Sequence, residues 1–224
     1  MAGVQIRKYR QDDAETVKDL FSLGMSEHVP SSFVHLLKQP LTQMVLMCTF
    51  CALLTSSKSF LLPVLAVTLL MAAARQLVAY KFKSYIETSF GLDLNAVGET
   101  YMAGKDSCFW VAESEGRVVG MVACLPHHSA PDCLELKRMS VRRSHRGRGV
   151  AKALCRTVAD FTRQRGYAGV LLYTSVVQTD AQKLYEHMGY HKVREFLLPD
   201  VALKLMNFSL LEYRLDLQAD KKGN

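Results

Sequence analysis

The amino-acid sequence predicts an α/β fold in which a mixed sheet is interrupted near its start by an apolar helical hairpin. First, Leu134–Thr174 shows a strand–helix–strand pattern, which requires its two strands to run in parallel. Second, the predicted strands Ser107–Glu113 and Arg117–Leu125 flank a Ser-Glu-Gly turn, as in an antiparallel hairpin. Third, residues 39–74 carry a single charge, on Lys58. These three observations define the predicted fold class.

The chain begins with a small unit that needs the rest of the sheet. Val4–Tyr9 is predicted to be a short strand, and Asp12–Leu23 an amphipathic helix with acids in its first turn. Because this unit is too small to fold alone, we expect it to join the sheet of the C-terminal half. The predicted divisions are the start of the domain, an insertion, the remainder of the domain and a polar tail: 1–38, 39–82, 83–217 and 218–224.

The insertion consists of two apolar arms separated by the turn-like stretch Thr55–Ser59. A single helix over both arms would be about 50 Å long, which exceeds one untilted membrane span. Both flanks join the same domain, so a membrane-embedded hairpin is favoured over a single span. Basic residues lie on both flanks and only Lys58 lies in the tip, which predicts cytosolic flanks. A buried pair of core helices in a soluble protein is the alternative.

The rest of the chain alternates between strands and helices. The helix predicted over Val150–Arg165 has its apolar residues on one face and ends at Gly166. A buried strand, a short helix and two closing strands are predicted after it: Val170–Thr174, Thr179–Met188, Tyr190–Glu195 and Asn207–Leu217.

The net charge of +7 comes from one local cluster of basic residues. Such a cluster indicates an anionic partner, which can be a phosphate-bearing ligand, a nucleic acid or a membrane surface. The six cysteines are expected to be reduced, because the polar N-terminal stretch does not predict a signal peptide. The cluster contains eight cations and no acid: Lys137, Arg138, Arg142, Arg143, Arg146, Arg148, Lys152 and Arg156.

The turn Arg143–Ala151 follows a predicted strand and opens a predicted helix. Free N–H groups and a partial positive charge at a helix N-terminus bind phosphate. Gly147 and Gly149 let the backbone approach a ligand closely, and arginines add charge. The turn therefore predicts an anion-binding site suited to a pyrophosphate, without the spacing of a nucleotide P-loop or a dinucleotide fold. A solvated basic turn and an Arg-Gly contact to nucleic acid are the alternatives.

Two motifs, in this order along the chain, resemble those of the GNAT superfamily of N-acetyltransferases. The resemblance covers Val4–Leu23 and Ser107–Leu217. The two motifs are Arg146-x-x-Gly149-x-Ala151 and the later Leu184-Tyr-x-x-x-Gly-Tyr190. The resemblance implies a mostly antiparallel sheet whose parallel strand pair splays at an acetyl-CoA site. Gln178 stands where many members have a CoA-binding asparagine. The implied acetyl-CoA-binding residues are Met139, Val141, Arg146, Gly147, Arg148, Gly149, Val150, Ala151 and Gln178.

The chain also resembles a narrower group, the camello-like N-acetyltransferases, which include the cysteine S-conjugate N-acetyltransferase of the endoplasmic reticulum. The apolar insertion carries this resemblance, together with the stretches Ile6–Tyr9, Gly24–Pro30 and Asp106–Ser114. The implied location is the endoplasmic reticulum membrane, with both termini and the catalytic domain in the cytosol.

The implied reaction is attack by a neutral amine on the acetyl thioester. By resemblance, Tyr185 is the acid that protonates the departing thiolate; a core aromatic is its alternative role. Glu135 lies on the strand leading to the anion site, where it could act as a base through water or lie at the surface. A backbone N–H near Met139–Val141 could stabilise the oxyanion. His127 and His128 have no third ligand nearby, and no metal is predicted.

The predicted function is therefore a membrane-anchored N-acetyltransferase that uses acetyl-CoA and a small amine. A cysteine S-conjugate is the favoured acceptor; lysine side chains of membrane proteins and an aspartate-type amino acid are rivals. The non-enzyme alternative is a membrane adaptor that has lost catalysis, against which the intact motifs argue. A nucleic-acid partner would explain the basic cluster but not the insertion, so none is predicted. The sequence does not indicate the oligomeric state.

Overall fold

A computed structural model of the chain describes residues 3–217, so the predicted tail at 218–224 lies outside the described residues. The seven strands form one sheet in the order β1-β2-β3-β4-β5-β7-β6. All neighbours are antiparallel except β4 and β5, which confirms the predicted mixed sheet. The strands are β1 Val4–Lys8, β2 Cys108–Ser114, β3 Arg117–Pro126, β4 Cys133–Val141, β5 Gly169–Ser175, β6 His191–Leu197 and β7 Ser209–Asp216.

Helices cover the two faces of this sheet. On one face, the apolar side of α5 packs on β3, β4 and β5 around Leu154 and Val158, which are fully buried. On the other face, α1 and the end of α4 pack around Phe21 and Leu94. The helices are α1 Ala14–Ser26, α2 Val29–Leu37, α3 Pro40–Ser57, α4 Leu61–Ser89, α5 Val150–Gln164, α6 Thr179–His187 and α7 Val201–Leu205.

The insertion forms two packed helices, α3 and α4, joined at Lys58, whose backbone is left-handed (φ 51°). The break thus falls where the sequence predicted the turn. Helix α4 continues past residue 82 to Ser89, and two single-turn π-helices, Phe90–Leu94 and Gly98–Met102, connect it to β2. Within the described residues, no side chain of α3 is buried, so α3 and α4 are not a buried core pair.

Outside the insertion, three predicted elements differ from the structure by two residues or more at an end, and the others agree to within one residue. The first helix begins at Ala14, because a 3₁₀ turn at Gln11–Asp13 precedes it. Tyr190 lies before β6 rather than in it, since its N–H bonds the Tyr185 carbonyl at the end of α6. Asn207 has a left-handed backbone (φ 49°), so β7 starts two residues later. Helices α2 and α7 were not predicted.

The two parallel strands separate where the site lies. Strands β4 and β5 pair over only four residues, from Cys133 opposite Gly169 to Leu136 opposite Leu172. Beyond this point, β5 continues along β7 and β4 continues along β3. A wedge-shaped gap therefore opens between the C-terminal ends of the two parallel strands.

Candidate acetyl-CoA and acceptor site

The turn before α5 has the free donors that an anion requires. Gly147 and Gly149 both have left-handed backbones (φ 74° and 82°), and Gly149 caps the helix. Among the described residues, none of the N–H groups from 147 to 152 donates to a backbone carbonyl, whereas Ala153 bonds the carbonyl of Gly149. The N–H groups line an open groove of about 550 Å³. Free donors, helix polarity and the side chains of Arg148 and Lys152 make this groove suited to a pyrophosphate.

The Arg146 side chain holds this turn in place. Its Nε donates to the carbonyl of Val141 at 2.9 Å, and its Nη1 lies 2.7 Å from the Glu27 carboxylate just after α1. The side chain of Arg146 is therefore occupied by the protein, and the backbone N–H groups are the free donors of the turn. Glu27 was not predicted as a site residue, because no local sequence pattern pairs it with Arg146.

One edge of the gap is the end of β4. Arg142 donates its N–H to the Val119 carbonyl on β3 at 2.8 Å. Since N–H groups alternate sides along an antiparallel strand, the N–H of Val141 points away from β3 and into the gap. Met139, two residues before Val141 on β4, is half-buried against the core that α5 covers. The gap therefore has a free backbone donor at Val141, a short distance from the anion-binding turn.

Tyr185 lies in the core that α5 covers. Its ring packs 5.6 Å from the ring of Tyr190 and 6.3 Å from that of Tyr213, and only 5% of the residue is exposed. Burial raises the pKa of the Tyr185 phenol, and the nearby Cys155 raises it further. The phenol is thus protonated at neutral pH, as a proton donor must be, and it also fills a core position.

Gln178 connects two parts of the site through its side chain. Its Oε1 accepts hydrogen bonds from Thr174 Oγ1 and from both the N–H and Oγ of Ser175. Its Nε2 lies 3.1 Å from Nε2 of His28, at the junction of α1 and α2. Burial, followed by the charge of Arg146, lowers the pKa of His28. Gln178 therefore ties the end of β5 to the α1–α2 junction, with its carbonyl oxygen already accepting three bonds.

Glu135 faces the other side of the sheet from α5. Its carboxylate lies 3.7 Å from Lys137 Nζ, and the side chain is 18% exposed. Tyr173 of β5 lies on the same face, and its hydroxyl is 2.9 Å from Nε2 of His127. Nδ1 of His127 accepts backbone N–H bonds from the following loop, so Nε2 carries the proton and donates to Tyr173. Both ring nitrogens of His127 are thus engaged within the protein.

Tyr173 and its neighbours form an aromatic and charged surface beyond the gap. The ring of Phe196 packs edge-on against Tyr173 at 6.0 Å, and the Arg194 guanidinium lies 5.0 Å above Phe196. Arg194 also pairs with Glu212. We call Glu135, Lys137, Tyr173, Arg194 and Phe196 the acceptor surface. From the sequence, Glu135 was a predicted site residue and Lys137 a member of the basic cluster. Tyr173, Arg194 and Phe196 were not predicted, because pairing of β5, β7 and β6 brings them together.

A sheet that splays beside a helix start with free N–H groups is the arrangement expected of an acyl-CoA-dependent transferase. The acetyltransferase (GNAT) family matches residues 70–190. N-acetyltransferase 8 of Rattus norvegicus is 39% identical over 216 residues, covering 95% of this chain and 97% of the relative. "Probable N-acetyltransferase camello" of Xenopus tropicalis is 34% identical over 219 residues, covering 98% and 100%. The chain therefore belongs to the GNAT acetyltransferase family and is an N-acetyltransferase 8-like, camello-like member of it.

A solved structure agrees with the fold. A Bacillus anthracis str. Ames acetyltransferase in complex with acetyl coenzyme A has a TM-score of 0.50 and 17% identity, covering 54% of this chain and 69% of that one. At that identity the likeness concerns the fold alone. It agrees with the predicted mixed sheet, and the family membership confirms the prediction of an acetyl-CoA-dependent enzyme.

Proposed function

We propose that the protein is a membrane-anchored N-acetyltransferase that acetylates the amine of small lipophilic acceptors, with cysteine S-conjugates as the favoured class. The hairpin α3–α4 sits in the endoplasmic reticulum membrane, and the catalytic domain and both termini face the cytosol. Family membership supplies the acetyl transfer; the acceptor, the anchoring and the residue roles are the proposal. The proposal rests on one observation: the chain combines a turn with free backbone N–H groups before α5 and two exposed apolar helices, α3 and α4.

The exposure of the hairpin supports the anchoring. Large apolar side chains on both helices are more than half exposed, including Met47 at 66% and Leu61 at 78%. Contiguous apolar surface on this scale is unfavourable in water and marks a membrane or protein contact. α3 has 18 residues and is therefore about 27 Å long, close to the hydrocarbon thickness of a bilayer. Both α3 and α4 are long and apolar enough to cross a membrane.

The acceptor surface suits an amine that carries both a carboxylate and an apolar group. Lys137 supplies a cation for an α-carboxylate, while Tyr173 and Phe196 supply aromatic area for the substituent on sulfur. An amine with a pKa near 8 needs only modest help to lose its proton. In this proposal, Glu135 takes that proton through one water.

We assign the remaining roles to groups around the gap. Acetyl-CoA supplies the activated acetyl thioester. The N–H groups of 147–151 hold its pyrophosphate, and the N–H of Val141 polarises the thioester carbonyl. Tyr185 gives its proton to the departing thiolate, and the amine proton passes to Glu135. Transfer of that proton from Glu135 to Tyr185 through water then restores both residues.

An acceptor panel tests the chemistry. Purified protein in detergent is given labelled acetyl-CoA and S-benzylcysteine, aspartate or a lysine peptide, with the Gly149→Asp variant as the blank. We expect the highest kcat/KM for S-benzylcysteine. A higher kcat/KM for aspartate or for the lysine peptide would replace the proposed acceptor class.

A glycosylation reporter tests the topology. An Asn-x-Ser acceptor loop is inserted after Lys58 in one variant and next to Gly3 in a matched control, and both are expressed in microsomes. We expect glycosylation of the Lys58 insertion alone, since only the hairpin tip is proposed to reach the lumen. Glycosylation near Gly3, or of neither variant, would contradict the proposed topology.

A further inference from the structure

A buried ion pair links the base of the membrane hairpin to strand β4. Arg138 donates from Nε and Nη2 to the two carboxylate oxygens of Asp93, at 2.9 and 2.7 Å. Both side chains are nearly inaccessible, at 6% and 7% exposure. The Tyr101 hydroxyl also donates to Asp93, and Arg138 Nη1 donates to Ser89 Oγ at 2.9 Å. Asp93 lies in the π-helix that directly continues α4, so the pair joins the hairpin to the sheet.

Arg138 has a backbone conformation that an arginine adopts only at a cost. Its φ is 56°, and the β3–β4 register slips here, with one extra residue in β4 between Lys137 and Ser140. A non-glycine residue in the left-handed region is unfavourable, and it persists only where its surroundings require it. The guanidinium lies 4.9 Å from the centroid of the Phe21 ring, so the side chain is held from two sides. The partners of the Arg138 side chain therefore lie where they can stabilise the bulge.

This bulge directly precedes the residues that line the gap. The backbone leaves the bulge at Met139 and reaches Val141, whose N–H points between β4 and β5. A change in the angle of the bulge would thus re-aim that N–H. The anion-binding turn also has an anchor outside β4, because Arg146 pairs with Glu27 in addition to its bond to the Val141 carbonyl.

We propose that Asp93 and Arg138 are positioning residues for acetyl transfer, and that together they set the β4 bulge and so aim the Val141 N–H. The inference rests on the proposed function, because it assigns that N–H to the thioester carbonyl. The hairpin base is then part of the catalytic framework as well as an anchor. Removing one partner leaves a buried charge without its counter-charge and releases the bulge.

Asp93→Asn and Arg138→Gly test the proposal. Glycine accepts the positive φ without strain, so Arg138→Gly removes the side chain while the backbone conformation remains allowed. Each variant is measured for unfolding temperature, calorimetric affinity for acetyl-CoA, kcat with the best acceptor, and amide hydrogen exchange of residues 137–141. We expect kcat to fall by about 10- to 100-fold, as a small misplacement of a reacting group can cause. We also expect unchanged acetyl-CoA affinity and faster exchange at 137–141.

A second Arg–Asp pair, whose side chains are 18% and 8% exposed, supplies the matched control. Arg7, on the edge strand β1 and three strands away from β4, donates from Nη1 and Nη2 to the two carboxylate oxygens of Asp13, at 2.7 and 2.9 Å. Asp13→Asn should lower the unfolding temperature while kcat per folded molecule and exchange at 137–141 stay as in wild type. An equal fall in kcat in Asp13→Asn and Asp93→Asn would overturn the proposal, because the effect would then be one of stability alone.

Milder variants keep the test decisive if the first ones fail to fold. Tyr101→Phe removes one bond to Asp93, and Arg138→Lys keeps the charge but loses the two-bond geometry. Both should lower kcat at unchanged acetyl-CoA affinity, with Arg138→Lys retaining more activity than Arg138→Gly; wild-type kcat in both would overturn the proposal. If wild type transfers acetyl to none of the acceptors, the proposed function fails, and exchange at 137–141 alone decides whether the pair sets the bulge.

Discussion

Substitution of Gly149 tests the assignment on which acetyl-CoA binding depends. Gly149 has φ of 82°, and a Cβ added there would meet no atom within 4 Å. Gly149→Ala therefore costs only the left-handed conformation of an L-residue, about 1–2 kcal/mol. Gly149→Asp adds a carboxylate next to the bound pyrophosphate. At about 5 Å and an effective dielectric constant of about 20, one charge pair repels by about 3 kcal/mol.

That repulsion converts into a binding loss that calorimetry can measure. Because about 1.4 kcal/mol corresponds to a tenfold change, Gly149→Asp should weaken acetyl-CoA binding by about 100-fold. Gly166 provides the control, since its φ is 78°, a Cβ there also meets no atom within 4 Å, and it lies at the far end of α5. Gly166→Asp should lose similar stability and keep wild-type affinity. Equal affinities in the two Asp variants would refute the assignment of the 147–151 N–H groups to the pyrophosphate.

Three further predictions address other parts of the site. Tyr185→Phe should lower kcat by about 100-fold at unchanged acetyl-CoA affinity. Tyr190→Phe should keep wild-type kcat, because the buried hydroxyl of Tyr190 has no partner among the described residues. Burial and Arg146 lower the pKa of His28, so the unfolded chain binds its proton more readily and stability falls as pH drops below about 6.5. Thermal unfolding at several pH values should show a smaller fall in His28→Gln and an unchanged one in the exposed His128→Gln; a wild-type slope in His28→Gln would contradict this. Gly24→Ala places a Cβ 2.6 Å from Ser140 Oγ, so it should lower the free energy of unfolding by about 1–3 kcal/mol, measured with denaturant. Ser140→Ala should restore part of this loss, and Gly98→Ala, whose Cβ enters open space, is the control. An equal cost at Gly24 and Gly98 would contradict the close approach.

The parts of the site that sequence predicts are those with local causes. The anion-binding turn could be predicted because Gly147, Gly149 and the following helix are consecutive, and their chemistry depends on the backbone. Strand β5 could be predicted because an unbroken apolar run of that length fits a buried parallel strand. In each case the physical reason lies within a few residues.

The contacts that organise the site could not be predicted because they join distant positions. Asp93 and Arg138 are 45 residues apart, and Gln178 lies 150 residues from His28. Helix α2 was missed because its apolar residues merge with those of the insertion. The positive φ of Arg138 has no local signal, since a strand residue of this type ordinarily adopts extended geometry.

Helix α4 passes through three environments, and this explains how an insertion can belong to a catalytic domain. Its first half is uncovered and apolar. Val78 then packs with Leu36, Met206 and Phe208, so the helix contacts α2 and the connection between β6 and β7. Further on, Ile86 enters the core with Phe21, and the chain reaches the Asp93–Arg138 pair. Because a helix is stiff over these lengths, the same element that is proposed to enter the bilayer also sets the distance between the membrane and the β4–β5 gap.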